Sequence, residues 1–237
     1  MKDKVVIITG GTEGIGLATA KKLASQGAIV YAAARHNKEF AEENIKYHYV
    51  DVTDSNSCKE LFDDVVKEHG KIDALVVDAG ITSDALTVKM SDEQFDRVVD
   101  VNLKGTFNIV RYVGPYMETQ GYGSIVLLSS VVGEQGNIGQ ANYAATKGAV
   151  ISLAKTWAKE FSRKGANVRV NAVAPGYIMT SMMDTVPKDL LDKFASQTML
   201  KRLGQPEEIA NVITFLTSDE SSYITGTVIS ANGGMRL

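Results

Sequence analysis

The sequence predicts an α/β protein: a single-domain, Rossmann-type doubly wound parallel sheet of about seven strands, with helices on both faces. Three observations carry this reading. Short apolar runs alternate with amphipathic stretches along the whole chain, and strand–helix–strand repetition of that kind builds a parallel sheet. Most of the runs have no polar residue at every second position, as expected of strands buried on both sides. The first run ends in a glycine-rich turn that opens a helix, TGGTEGIG at 9–16.

The strands are expected at VVIIT (5–9), AIVYAAA (28–34), KYHYV (46–50), DALVVDA (73–79), SIVLLSS (124–130), NVRVNAVA (167–174) and TVISA (227–231). After the first strand, IGLATAKKLASQG reads as a helix. The link between the second and third strands, RHNKEFAEEN (35–44), leaves room for a helix of two to three turns, its charge run being a solvated face. Ser57 with Glu60, and Ser91 with Gln94, each fit a capping box. Pro206 followed by Glu207 and Glu208 opens a further helix, with proline in the first turn and acids at the positive end. Only four prolines occur, and no Gly/Ser/Pro-rich linker interrupts the pattern, so residues 1–237 are expected to form one domain.

Composition excludes several classes. The 237 residues carry 25 Lys+Arg against 28 Asp+Glu, a net charge of -3, without a basic stripe. Nucleic-acid binding leans on clustered cations and is not expected. The apolar run in MKDKVVIITGG is too short for a signal peptide or membrane span, and a lone cysteine, Cys58, cannot form an internal disulfide. A cytoplasmic protein without membrane contact is the simplest expectation. His36, His48 and His69 lack the spacing of a metal site, so no metal is expected. Cys58 and Trp157 read as packing residues on helices. Met179, Met182 and Met183 follow a Pro-Gly turn and are candidates for a substrate-facing lid, methionine being adaptable to varied apolar ligands.

Two local patterns can carry chemistry. In TGGTEGIG, glycines let the backbone turn tightly and approach a pyrophosphate, whose charge the helix N-terminus then meets. The spacing is G-x-x-x-G-x-G, which alone fits a plain strand-to-helix turn as well. In NYAATK (142–147), Tyr143 and Lys147 stand four apart near the start of a helix and share one face. A cation there favours phenolate and would bring the phenol toward use as a general acid; such a pair is also common as solvated neighbours. Ser130, at a strand end, converges on the same edge of an open sheet.

Taken together, TGGTEGIG, DAG (78–80), VNLKG (101–105), SSVVG (129–133), NYAATK and APGYIMT (174–180) match in order the motif set of the short-chain dehydrogenase/reductase family, over essentially the whole chain. GITSDALTVKMS, SSVVGEQGNIGQANYAATKGAV and EEIANVITFLTSDESSYITG look most like its β-ketoacyl carrier-protein reductases. The resemblance implies that Tyr143 protonates a carbonyl oxygen that Ser130 hydrogen-bonds. It further implies that Lys147 holds the nicotinamide ribose and lowers the tyrosine pKa, and that Asn102 positions a relay water. Gly10, Thr12, Gly14, Ile15 and Gly16 would form the phosphate turn. Asp51 and Val52 would meet the adenine, Ala79 and Gly80 would lie along the cofactor, and Pro175, Gly176, Ile178 and Thr180 would flank the nicotinamide. An asparagine followed closely by Gly105 is in any case an awkward choice inside a long helical pattern starting at Asp92.

Two departures stand out. Val77-Asp78-Ala79-Gly80 occupies the place of the family's Asn-Asn-Ala-Gly, which would alter the sheet edge near the cofactor ribose. Glu13 stands where many NADPH-preferring members are basic. The second strand nonetheless ends Ala32-Ala33-Ala34-Arg35 without the acid that NAD enzymes place on the ribose, and Arg35 could pair with a 2′-phosphate. NADP(H) is therefore favoured, NAD(H) remaining possible. The expected reaction is reduction of a 3-oxoacyl thioester, borne by acyl carrier protein or CoA, to the (R)-3-hydroxyacyl product. Alternatives are a dehydrogenase of another secondary alcohol or ketone, such as a hydroxysteroid or sugar alcohol, and a non-catalytic nicotinamide-binding sensor. The resemblance also implies a homotetramer built on the helices around Val98–Met117 and Ala144–Phe161, whose apolar residues, including Val110, Val113, Leu153 and Trp157, exceed what one buried face of each helix needs. Carrier protein would dock on Arg163 and Lys164, since GYGS (121–124) lacks the arginines often found there.

Overall fold

The computed structural model describes residues 1–180, 183 and 186–235. Met182 of the expected lid lies outside the described residues. A seven-stranded parallel sheet runs through the molecule in the order β3-β2-β1-β4-β5-β6-β7. Its strands are β1 (Val5–Thr9), β2 (Ile29–Ala34), β3 (Ile45–Tyr49), β4 (Ala74–Val77), β5 (Tyr122–Leu128), β6 (Asn167–Pro175) and β7 (Val228–Ala231). All seven expected strands form, with ends displaced by a few residues at most.

Both faces are covered, which explains the missing period-2 polarity. Val5 and Ile7 point into one core layer, built with α2 (Ser55–His69), α4 (Gly105–Gln120) and α6 (Ala141–Ser162). Val6 and Ile8 point into the other, with α1 (Gly14–Ser25) and α8 (Pro206–Thr217). The chain is completed by α3 (Asp92–Val99), α5 (Val131–Gln135) and α7 (Lys188–Ser196).

Ser91 and Gln94 make the expected capping box at α3, and Pro206 opens α8. Three expectations are corrected. The cap of α2 is Asp54, which accepts from the Asn56 N–H at 2.8 Å. Ser57 lies within the first turn, and its hydroxyl accepts from the Asp51 N–H instead. Residues 35–44 form no helix: so short a segment nucleates poorly, and it is pinned by Phe40 against the core and by Asn44, whose amide donates to the Ala24 and Ala28 carbonyls. Finally, Val110, Val113 and Trp157 are buried in the chain's own core, so they leave no surplus apolar face. Phe107 on α4 is the exposed one, under the Arg111 guanidinium.

The strand order reverses direction between β1 and β4, a switch point of the kind that opens a crevice at the carboxyl ends of the strands. Gly10 follows β1 there and Asp78 follows β4. No helix among the described residues is long and apolar enough to cross a membrane.

Candidate active site

At that carboxyl edge a cleft of about 440 Å³ is lined from five directions: by the turn at Gly10 and 13–15, by 78–82 after β4, by Leu128–Ser130 after β5, by Tyr143 and Lys147, and by Pro175, Gly176, Ile178 and Thr180 with Met183. A neighbouring cavity holds Thr12, Glu13, Arg35, His36, Asp51 and Val52 with Ala79 and Gly80. The two share Gly10, Glu13, Ala79, Gly80 and Ile81, and the sequence-predicted residues line one or the other except Gly16 and Asn102, which stand behind the walls.

The turn itself demands glycine. Gly10 and Gly14 have φ of +74° and +53°, where side chains are strained. At Gly16 a Cβ would stand 2.2 Å from the Gly10 carbonyl oxygen. Its own N–H is taken up by the Asp78 carboxylate. An anion meeting the free end of α1 would be favoured by the helix dipole.

Ser130 and Tyr143 meet because α5 and α6 pack backbone to backbone. A Cβ on Gly133 would come 2.6 Å from the Lys147 carbonyl carbon, and the Ser129 hydroxyl donates to the Lys147 carbonyl at 2.7 Å. The Ser130 hydroxyl hydrogen-bonds the Tyr143 phenol and also accepts from the Val132 N–H. Lys147, 5% exposed, donates to the Leu128 carbonyl at 2.6 Å, with its ammonium 5.7 Å from the centre of the Tyr143 ring.

The expected lowering of the Tyr143 pKa by Lys147 is not found. Burial pushes the phenol up to about 12 against the pull of the Ser130 hydrogen bond, and the charges of Asp78 and Asp84 push the same way. Lys147 answers to Asp78 rather than to the phenol: burial brings it down to about 8, and Asp78 holds it up.

Asn102 sits in a π-helical turn, Asp100–Lys104, between α3 and α4, the physical form of its awkward place in the sequence. Its amide brackets the Ile81 backbone, accepting from the N–H at 2.8 Å and donating to the carbonyl at 2.9 Å, and reaches Thr146 at 3.3 Å. Thr106 donates to the Asn102 carbonyl at 2.7 Å.

In the second cavity, Asp51 accepts from the Thr53 N–H and hydroxyl. Burial works to raise its carboxyl, but these bonds and the Arg35 charge hold it below the usual range. Glu13 and Arg35 line the same space. His36, read from sequence as inert, lines it too; its position directly after Arg35 at the end of β2 was the available signal. Ile81, Thr82 and Ser129 were also passed over, being ordinary residues placed by the strand ends. Cys58 is buried in α2 and pushed up to about 12 by burial, a packing residue. His48 faces Asp64, and His69 faces the Tyr31 hydroxyl.

The groove fits a dinucleotide on its own features. The turn offers backbone close to the surface with side chains excluded. Bare Gly80 keeps a path open where a Cβ would stand 3.3 Å from Asn102 and 3.4 Å from Lys147. A polar, partly charged compartment with Arg35 lies at one end, and the half-buried Tyr143 phenol with the buried Ser130 and Lys147 lies at the other.

Comparison with known proteins agrees with this geometry. Residues 10–236 match the family model described as enoyl-(acyl carrier protein) reductase. A 3-oxoacyl-[acyl-carrier-protein] reductase of Thermotoga maritima is 48% identical, covering 99% of this chain and 98% of that one. Its counterpart in Staphylococcus epidermidis is 43% identical over 99% and 100%. The crystal structure of gox2181 superposes with a TM-score of 0.91 at 33% identity, over 99% of this chain and 96% of that one. With motif order, sheet topology and full-length relatives in agreement, the chain belongs to the short-chain dehydrogenase/reductase family of nicotinamide-dependent oxidoreductases.

Proposed function

We propose that the protein reduces 3-oxoacyl thioesters, carried by acyl carrier protein or CoA, to (R)-3-hydroxyacyl thioesters in fatty acid synthesis, using NADPH in preference to NADH. The observation that carries this is the Ser130–Tyr143 hydrogen bond set beside a buried Lys147 at the carboxyl edge of the sheet, in a chain whose full-length relatives are named 3-oxoacyl-[acyl-carrier-protein] reductases.

The nicotinamide, when bound, supplies the hydride. The chain's own residues do the rest. Gly10, Thr12, Gly14, Ile15 and Gly16 hold the pyrophosphate against the start of α1, and Asp51 and Val52 border the adenine. Arg35 meets a 2′-phosphate, opposed in part by Glu13. Pro175, Gly176, Ile178 and Thr180 wall the nicotinamide, while Ala79 and Gly80 leave room for the ribose that Lys147 binds. Ser130 donates to the substrate carbonyl oxygen as negative charge grows there. Tyr143 delivers its proton to that oxygen. Asn102 keeps the 81 backbone and an ordered water in line for reprotonation of the phenol.

A thioester on a carrier protein calls for a basic approach. Arg163 and Lys164, both exposed, flank the end of α6, though each also reaches Glu118 at 3.7 and 3.5 Å, so the patch keeps about one net positive charge. Residues 121–124 add none. We accordingly read carrier-protein docking as weak and salt-sensitive, with CoA thioesters accepted as well. The protein works in the cytoplasm as a homotetramer joined through α4 and α6, where exposed Phe107 supports the contact.

The deciding experiment follows NADPH and NADH oxidation with acetoacetyl-CoA, crotonyl-CoA and simple secondary alcohols with oxidised cofactor. Turnover of acetoacetyl-CoA to the (R)-alcohol is expected. Turnover of the enoyl thioester alone, or of alcohols alone, would replace this substrate assignment, and cofactor binding without any turnover would make the protein a sensor.

A further inference from the structure

Asp78 is a half-buried acid that the reaction above does not use. It follows β4 directly, at the switch point, and lines the cleft. Two elements converge on its carboxylate. From α1, the Gly16 N–H donates to it, and Asp78 Oδ2 lies 2.9 Å from where a Cβ on Gly16 would stand. From α6, the Lys147 ammonium acts on it, and it on Lys147. That ammonium is held beside the same turn: it lies 3.4 Å from where a Cβ on Gly80 would stand, two residues beyond Asp78. Among the described residues the ammonium donates to the Leu128 carbonyl, a neutral acceptor that brings no counter-charge of its own.

We propose that Asp78 is a positioning residue that ties the phosphate turn to Lys147, its carboxylate set against Gly16 on one side and standing on the other as the counter-charge to the buried ammonium that binds ribose. The inference rests on the catalytic-end assignment of Lys147 made above. The titratable groups around Asp78 are Lys147 and Tyr143 from α6, with Asp84 acting on the same phenol and Glu13 on the cleft wall. Among these Lys147 is the cation. A buried ammonium without a nearby anion sheds its proton readily. Here burial raises Asp78 to about 6 against the pull of Lys147 and Gly16, and brings Lys147 down only to about 8. Between those values both groups are charged, and the lysine stays cationic because the carboxylate faces it.

The isosteric Asp78→Asn separates charge from shape, since its amide oxygen still accepts the Gly16 N–H. Lysine side-chain NMR of the protein without substrate, with the Lys147 signal identified by its loss in Lys147→Arg, reads the ammonium directly. In Asp78→Asn the Lys147 titration should move to lower pH by roughly one unit, the scale of one close charge on a buried group. The alkaline limb of kcat/KM for reduction should follow it. Asp78→Ala, which also drops the Gly16 acceptor, should in addition weaken cofactor binding measured by fluorescence at pH 7, whereas Asp78→Asn should largely retain it. If Ala does not fold, the Asn variant carries the test alone. An unmoved Lys147 titration overturns the proposal. A moved titration with an unmoved rate limb leaves the hold of Asp78 on Lys147 standing and overturns the assignment of Lys147 to the reacting centre.

Discussion

Removing the Asn102 side chain tests the geometry most directly, because its cost can be counted bond by bond. Asn102 is 1% exposed and holds both polar groups of the Ile81 backbone, at 2.8 and 2.9 Å, plus a longer bond to Thr146. In Asn102→Ala the Ile81 N–H and carbonyl both lose their partner. Each group left unpaired costs about 1–3 kcal/mol. Ile81 borders the cleft, where water can enter, so the sum belongs near the low end, about 2–4 kcal/mol. For a chain of this length each kcal/mol is worth roughly 2–4 °C of Tm, which gives a fall of roughly 4–16 °C at matched protein concentration. Asn102→Asp keeps the acceptor for the Ile81 N–H but sets a second oxygen against the Ile81 carbonyl. Its buried carboxyl would titrate above the usual range, so the stability lost should grow as pH rises through that titration. Differential scanning calorimetry of both variants, with acetoacetyl-CoA turnover measured well below either Tm, reads stability and catalysis separately. An Asn102→Ala protein that melts within about 2 °C of the parent, below the smallest loss in that count, would refute it, and unchanged turnover would remove Asn102 from the relay.

Tyr143→Phe should fold and bind cofactor nearly as the parent does yet lose about 10²–10⁴-fold in turnover, the worth of a positioned acid; near-normal turnover would remove Tyr143 from the reaction. Replacing Arg35 with Asp should cut kcat/KM for NADPH about 10- to 100-fold, as loss of a charge-assisted bond does, and raise the relative use of NADH; a parent enzyme that already prefers NADH would show that Glu13 outweighs Arg35. Light scattering at micromolar concentration should give four times the chain mass, and a monomer would refute the assembly. Charge reversal at Arg163 and Lys164 together should raise KM for a carrier-protein substrate while sparing acetoacetyl-CoA, and equal effects on both would mean that the carrier docks elsewhere.

Sequence legibility followed the scale of the interaction. The strands were readable because β1 and its neighbours are buried on both faces, so apolar runs mark them without reference to partners. The Ser91–Gln94 box was readable because both members lie within one turn. Ser57 misled because its hydroxyl is spent on the Asp51 N–H, a contact that depends on where the preceding loop folds back. The 35–44 segment misled because helical charge spacing says nothing of Phe40 and Asn44 being fastened to the sheet and to α1. Val110, Val113 and Trp157 looked superfluous for one helix face because packing between α4 and α6 was invisible until the two helices were side by side. In the cleft, Asn102, Ser130, Tyr143 and Lys147 were placed by motif, but the charge environment was not. Asp78 and Asp84 both come to the phenol from the loop after β4, and nothing in that loop's sequence says that it folds over α6.

That environment bears on the direction in which the site works. A phenol at about 12 and an amine at about 8 mean that both Tyr143 and Lys147 are protonated at neutral pH. Reduction needs a proton on Tyr143. The oxygen that receives it is close to an alkoxide, more basic than a phenolate, so transfer from the phenol still runs downhill although burial has weakened it as an acid. Oxidation of an alcohol asks the opposite. It needs a phenolate, and burial disfavours that anion while the Asp78 and Asp84 carboxylates repel it. The acids that make the tyrosine a reluctant base leave it a competent acid, and they come from this chain's own loop after β4. Both effects favour the protonated phenol, the form that ketone reduction uses.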